Sequence, residues 1–534
     1  MRPATGNFLS EMGRLKAKTW ARRYHEGHGL TGRRPIQKIV IAGGGTSGWS
    51  AAACLARFGE QRGFDITLVD SSAIGTIGVG EASVPNIINF NAYLGIDELD
   101  FIRSTQATFK LGIDFRGWTG AGTSFFHPFG RYGARLEDLD FHQCLMKAAT
   151  AGECSRLDEY SLAIKLARQG KFAQPVIDPR QPLSDFGYAF HFDATLYAQR
   201  LRTYAIERGV CHIDQRIVNV DVDAASGFIS GLALEDGSRL AGDLFIDCSG
   251  FRALLIEGAL NAEYVDWSRF LPCDRAIALP SPHDPELPPF TSATAQDAGW
   301  TWRIPLQHRT GNGYVYCSNY ASDEAAVQTL AKVPGISADQ QPNVIRFNAG
   351  ARREFWTKNC VALGLAGGFI EPLESTSINL VHRALSTLMD FFPDASFDPR
   401  VRAAANRRMM LEQENIRDFI MLHYKANGRH GEPFWDHCRA MEIPDTLAHK
   451  IETYQGCGYL EQYEAESFKP ESWLTMYNGF GITPDAYDAR ADQLDVARAR
   501  EAMAKMRRGI AMAADQAMPH AAFVRRFCAA PPPA

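Results

Sequence analysis

The chain has 534 residues, 46% hydrophobic and 22% charged, with a formal net charge of −5. This is ordinary globular composition, and nothing in it points to nucleic acid or an anionic membrane surface as a partner. The length allows one large domain or two to three ordinary ones. No apolar run reaches the roughly 18 residues a membrane span needs. The eleven cysteines are scattered without a C-x-x-C pair. They read as reduced thiols of a cytoplasmic protein, with neither a disulfide frame nor a metal site.

Residues 1–35 are basic, carrying Arg2, Arg14, Lys16, Lys18, Arg22, Arg23, Arg33 and Arg34, and lack the apolar core of a secretory leader. They read as a poorly ordered extension ahead of the first strand, with a docking or targeting arm as the alternative. The β-branched run from Ile39 then enters Gly43-x-Gly45-x-x-Gly48 and a small-residue helix through Ala53. A buried parallel strand, a tight glycine turn and a helix N-terminus are what a dinucleotide pyrophosphate requires. A second strand, Asp65 to Val69, ends at Asp70, about twenty residues on, where a carboxylate binds a ribose hydroxyl.

Gly78 and Gly80, in Ile77-Gly-Val-Gly-Glu81-Ala82-Ser-Val84, suggest close backbone approach to a ligand or another element, with a helix from Val84 to Leu94. Ala107 to Phe115 alternates like a half-buried strand, which puts Lys110 opposite Phe109, Leu111 and Ile113. Alternation alone makes that lysine solvent-facing. Phe125-Phe-His127-Pro128-Phe129-Gly is either a loop packing on a core or a wall for a flat aromatic ligand. Asp193 caps a helix running to Arg208, followed by strands at 216–222 and 229–234. Asp243 to Gly250 is a buried strand returning beside the first glycine turn.

Trp300 and Trp302, two residues apart on an extended segment, share a face, as a core ladder or as something that uses the indole N–H groups. A strand from Gly313 to Ser318 follows. Val361 to Ile370, with Gly364, leads through Glu371-Pro-Leu-Glu374-Ser375-Thr376 to a helix from Ser377 to Phe391. This is a second candidate anion cradle, or a helix start capped by Ser375 or Thr376. Beyond Pro393 the pattern is helical, at 400–422, 444–453 and 492–512, and the Ala-Pro end reads as a frayed tail.

These motifs together resemble the flavin-dependent tryptophan halogenases of the flavoprotein monooxygenase group, from Gln37 to Cys528. The resemblance rests on Gly43-x-Gly45-x-x-Gly48, Gly78-Val-Gly-Glu-Ala, Phe126-His-Pro-Phe-Gly130, Asp247-Cys-Ser-Gly-Phe-Arg252 and Glu371-Pro-Leu-Glu-Ser-Thr376. The W-x-W-x-I-P signature, Trp300 to Pro305, separates these halogenases from related hydroxylases. The implied fold is α/β: a Rossmann-like FAD-binding body (36–392) with a mostly helical substrate cap (393–534). The resemblance implies FAD held by Gly43, Gly45, Thr46, Ser47, Gly48, Asp70, Gly80, Glu81, Ala82, Gly364 and Ile370, and halide (chloride or bromide) at Thr376 and Ser377. It further implies that a separate reductase supplies FADH2, and that hypohalous acid made from oxygen and halide travels to Lys110. Lys110 and Glu374 are the implied catalytic pair, so the lysine is expected in a site rather than in solvent. Lys110 would act as a haloamine or by hydrogen-bonding the hypohalous acid.

His127, Pro128, Phe129, Ser375 and Trp473 are the implied substrate contacts, Trp300 and Trp302 the gate between flavin and substrate. The resemblance allows a homodimer. Members acting on free tryptophan carry a Phe-Trp-Asn-Asn box where this chain reads Phe468-Lys-Pro-Glu-Ser-Trp473. The expected substrate is therefore indole, another electron-rich heteroarene, or a larger molecule entering an open site. Ser377 stands where glycine is common, so halide choice is expected to differ. An aromatic hydroxylase is the alternative activity.

Overall fold

The structure is a computed structural model that describes residues 34–75, 80–178, 181–336 and 342–532. Most of the basic extension, residues 76–79 of the second glycine motif and the last two residues lie outside them.

A six-stranded sheet runs in the order 356–357, 360–362, 244–247, 38–42, 65–70, 211–214. All its pairings are parallel except that of Trp356–Thr357 with Cys360–Ala362. Ile39, Val40, Ile41 and Ala42 are all buried, as expected of a strand covered on both faces. The expected turn follows, and the helix Thr46–Gly59 packs against the sheet along its small residues. A Cβ at Gly48 would lie 1.8 Å from the Gly43 carbonyl, so only glycine lets helix and strand approach this closely. Asp247, fully buried at the end of the returning strand, accepts from the amides of Ser249, Leu255 and Ile256. It thereby fixes the loop beside the glycine turn.

A second sheet of seven strands carries the tryptophan pair, in the order 343–346, 275–282, 309–316, 299–305, 291–296, 112–116, 124–128. A third, of three strands, joins Gly80–Ala82, Ala189–Asp193 and Thr108–Lys110. The alternation read from Ala107 to Phe115 therefore fails as a single strand. The chain breaks at Leu111 and changes sheets, and every residue from 107 to 115 is buried. Alternation assumes one wet face, and here there is none. Lys110 is 0% exposed. At Gly112 a Cβ would lie 2.1 Å from the His127 carbonyl, which is how the two segments come together.

Asp193 caps its helix as expected, accepting from the Thr195 and Leu196 amides. The helix expected from Val84 to Leu94 begins at Asn86 and ends at Leu94, with left-handed Gly95 (φ 75°) as its C-cap. Thr376 occupies the N-cap of Ser377–Asp390, yet no side chain caps it, and Ser375 is left-handed (φ 61°). The C-terminal helices Pro399–Lys425, Asp445–Cys457 and Val496–Gln516 match the helical pattern. The loops between them hold further helices at Pro433–Ala440 and Pro470–Gly479, each with proline in the first turn. The tail expected to fray is tied to the body. Ala530 N–H donates to Gln307 Oε1 (2.8 Å), and Gln106 Nε2 donates to the Pro531 carbonyl (2.7 Å). The largest apolar core extends from Ile36 to Cys528, so helical region and body share one interior. No described helix is long and apolar enough to cross a membrane. No described group of His, Cys, Asp and Glu could hold a metal ion.

Candidate active site

A cavity of about 670 Å³ opens along the glycine turn. Gly43, Gly45, Thr46, Ser47, Asp70, Gly80, Glu81, Ala82, Gly364, Ile370 and Ser377 line it. Gly43 is left-handed (φ 108°), and a Cβ there would lie 2.3 Å from the Cys248 carbonyl. A Cβ at Gly45 would meet no protein atom within 4 Å, so that backbone faces open cavity. The first amides of the helix lack intrahelical partners and concentrate its dipole there. Asp70 accepts from His212 Nε2 at 2.7 Å, while Arg202 donates to the other ring nitrogen. The residues present fit a dinucleotide: anion donors at the turn, a carboxylate at the strand end and room between them. Gly48 serves the packing of the turn rather than the cavity wall.

At the far end the cavity is walled by Trp300, Trp302 and Ser375. The indoles lie 6.1 Å apart. Trp300 Nε1 donates to buried Glu371 at 2.8 Å, and the Tyr424 hydroxyl donates to the same oxygen. The other Glu371 oxygen has no partner. Burial pushes this carboxyl up to about 7, against the lowering effect of Tyr424 and Trp300. The sequence places Glu371 within a motif without assigning it a role. Its signal was the indole N–H, which wants an acceptor.

Ser375 joins the two halves of the site. It lines the cavity, and its hydroxyl accepts from Lys110 Nζ at 2.7 Å. The Lys110 ammonium also donates to the Ser83 carbonyl (3.0 Å) and stands 5.1 Å from the centre of the Phe129 ring. Burial lowers its pKa from 10.5 to about 7, opposed by the charges of Glu374 and Glu81. Glu374, 1% exposed, meets His127 Nδ1 through both oxygens (3.0 and 2.9 Å) and His423 Nε2 at 3.0 Å. Burial alone would raise its carboxyl, but the charge and hydrogen bond of His127, then those of His423, bring it to about 2. Thr376 is buried beside them with its hydroxyl unpaired.

His127 faces Phe419 and Phe468, whose rings stack at 3.8 Å. Pro128 ends the same strand. Trp473 stands one layer further out, edge-on to Phe419 at 5.0 Å, with Lys450 over its indole at 4.4 Å. The structure thus brings Lys110, Glu374, Ser375, His127 and Phe129 together and sets Trp473 behind Phe419 and Phe468. Sequence reading missed His423 altogether, since a histidine among apolar residues of a long helix carries no signal of its own.

A cavity lined by the glycine turn, Trp300, Trp302 and Ser375 thus adjoins, through Ser375, the buried cluster of Lys110, Glu374 and His127. The tryptophan halogenase family model matches residues 38–496. The 7-chloro-L-tryptophan 6-halogenase KtzR of Kutzneria sp. (strain 744) is 39% identical over 439 residues, 78% of this chain and 84% of that protein. The structure of BrvH, a flavin-dependent halogenase from Brevundimonas sp. BAL3, is similar at 43% identity and a TM-score of 0.89, covering 93% of this chain and 99% of its own. That of SttH, a tryptophan 6-halogenase from Streptomyces toxytricini, has a TM-score of 0.84 at 32% identity, covering 91% and 99%. The chain belongs to the tryptophan halogenase family and is a flavin-dependent halogenase.

Proposed function

We propose that the protein takes reduced FAD from a separate flavin reductase and makes hypohalous acid from oxygen and chloride or bromide. Lys110 then places the halogen on an electron-rich aromatic ring of the indole type. The observation that carries this reading is Lys110 itself, a fully buried amine hydrogen-bonded to the serine that lines the cofactor cavity. Bound reduced flavin would give two electrons to oxygen, and the oxygen would take two more from halide as hypohalous acid and water form. Gly43, Gly45, Thr46 and Ser47 would hold its pyrophosphate and Asp70 its ribose. Gly80, Glu81, Ala82, Gly364 and Ile370 would wall the cavity around it, with halide beside Thr376 and Ser377.

With its pKa near 7, Lys110 presents both protonation states at neutral pH. The neutral amine can take the halogen, forming N–X as X–O breaks, with the hydroxide released taking the amine proton. The ammonium can instead donate to the oxygen of hypohalous acid and polarise X–O. Either way the ring carbon nearest Lys110 forms the new C–X bond, because position supplies the selectivity. The ring proton then passes to Glu374, whose charge also stabilises the cationic ring before that proton leaves. His127 and Phe129 form the wall against which the ring lies. Trp300 and Trp302 screen the ring from the cofactor cavity. The buried charge beside Trp473, Lys450, is already paired with Glu466 at 2.8 Å. This supports a substrate without a free amino-acid group, closed in by the helical region 393–534.

The test is product mass with reductase, oxygen and either halide, across indoles, pyrroles and phenols. A halogen adduct is expected. An oxygen adduct alone overturns the proposal in favour of hydroxylation.

A further inference from the structure

His423 lies in the helix Pro399–Lys425, fully buried and surrounded by the rings of Phe115, Trp118, Phe419 and Phe480. Its Nδ1 is 2.8 Å from the Phe419 carbonyl, which can only accept, so Nδ1 carries a proton. Its Nε2 is 3.0 Å from Glu374 Oε1. Two bare lone pairs do not approach so closely, so a second proton lies between them. The pair is therefore imidazolium–carboxylate or imidazole–carboxylic acid. His127 Nδ1 lies within hydrogen-bond distance of both Glu374 oxygens, which a carboxylate can offer as acceptors together and a protonated acid cannot, and this selects the first form. On the opposite side, His127 Nδ1 donates to both carboxylate oxygens.

Lys110 has different partners. Both of its acceptors are neutral, and none of the described ion pairs involves it. The titratable groups facing it are Glu81 from strand 80–82, Glu374 from the turn 372–374, and His191 from strand 189–193, with His520 behind His191. His191 is neutral there. The Thr108 hydroxyl donates to the Pro305 carbonyl, so His191 Nδ1 donates to Thr108 and its Nε2 accepts from Thr291.

We propose that His423 is a positioning residue that carries the counter-charge of Glu374, so that the carboxylate is balanced by histidines and the Lys110 amine is not drawn into an ion pair with it. The proton accepted from the ring then goes to Oε2, which only His127 contacts, because Oε1 is held by His423 as well. The proposal rests on the assignment of Lys110 and Glu374 as the reacting pair.

The test needs no turnover. In protein labelled with [6-13C]lysine, the Lys110 signal is identified by its loss in Lys110→Arg and followed against pH. The wild-type midpoint is expected near 7. His423→Gln removes the positive charge and is expected to raise it by at least about one pH unit. Glu374→Gln added to His423→Gln is expected to cancel that rise. An unmoved midpoint in the single variant, or an equal rise in the double, overturns the proposal. The wild-type protein gives an independent check that survives a misfolded variant. Both nitrogens of His423 are expected to be protonated at pH 7 by 15N shift, and a neutral ring contradicts the assignment. Failure to form a halogenated product in the wild type would count against the proposed function while leaving these titrations readable.

Discussion

Replacing Lys110 by methionine tests whether the lysine is truly dry. The folded protein holds the Lys110 proton with a pKa of about 7 against 10.5 for the ordinary side chain. Between those values the unfolded chain binds more protons than the native one, so stability rises with pH. The penalty is full below about pH 7 and gone above about 10.5. Across the whole window it amounts to roughly 5 kcal/mol, at about 1.4 kcal/mol per unit. Between pH 7 and pH 9 the wild type should gain about 2 kcal/mol that Lys110→Met does not. Methionine also loses the bonds to Ser83 and Ser375, which changes the level of its stability curve and leaves this slope difference intact. Urea unfolding of both proteins at pH 7, 8 and 9 measures the difference. Parallel pH dependences would refute a buried, depressed lysine and, with it, an amine available at neutral pH.

Gly45→Ala introduces a methyl group that touches no protein atom but enters the cavity. Its melting temperature should stay within a degree or two of wild type while FAD affinity, by fluorescence titration, falls about tenfold or more. Gly43→Ala, by contrast, should lose both, because its Cβ collides with the Cys248 carbonyl. Trp300→Phe removes one of two donors to Glu371 and should destabilise by about 1–3 kcal/mol at pH 8. The loss should shrink at pH 6, where a carboxyl with a pKa near 7 is mostly protonated. Glu374→Gln should lower halogenated product by about 10²–10⁴-fold while hypohalite, read with a chlorination-sensitive dye, still forms. Loss of both together would move Glu374 from the arene step to oxidant formation.

The glycine turn was legible because one local run of residues encodes strand, turn and helix start, and the structure puts that run against the cavity. The Asp193 cap was legible for the same reason. Lys110 was not legible from periodicity. Its segment leaves one sheet and enters another at Leu111, so neither face meets water and alternation carries no information. Only the resemblance of the surrounding motifs singled it out. Glu371 and His423 depend on contacts 71 and 49 residues away in sequence, which local patterns do not record. The tail is tied down although its Ala-Pro composition signals fraying, because Gln106 and Gln307 supply partners more than two hundred residues distant. Trp473, read from motif position as a substrate contact, packs edge-on against Phe419, which stacks on Phe468.

The central claim is that oxidant formation and substrate halogenation are separate events joined through Lys110. Lys110→Ala, given reductase, oxygen, halide and an indole, measures this directly by following flavin oxidation and halogenated product in the same reaction. The account predicts flavin oxidation near the wild-type rate with product reduced to background. Halogenated indole accumulating at the wild-type rate and ring position would contradict it.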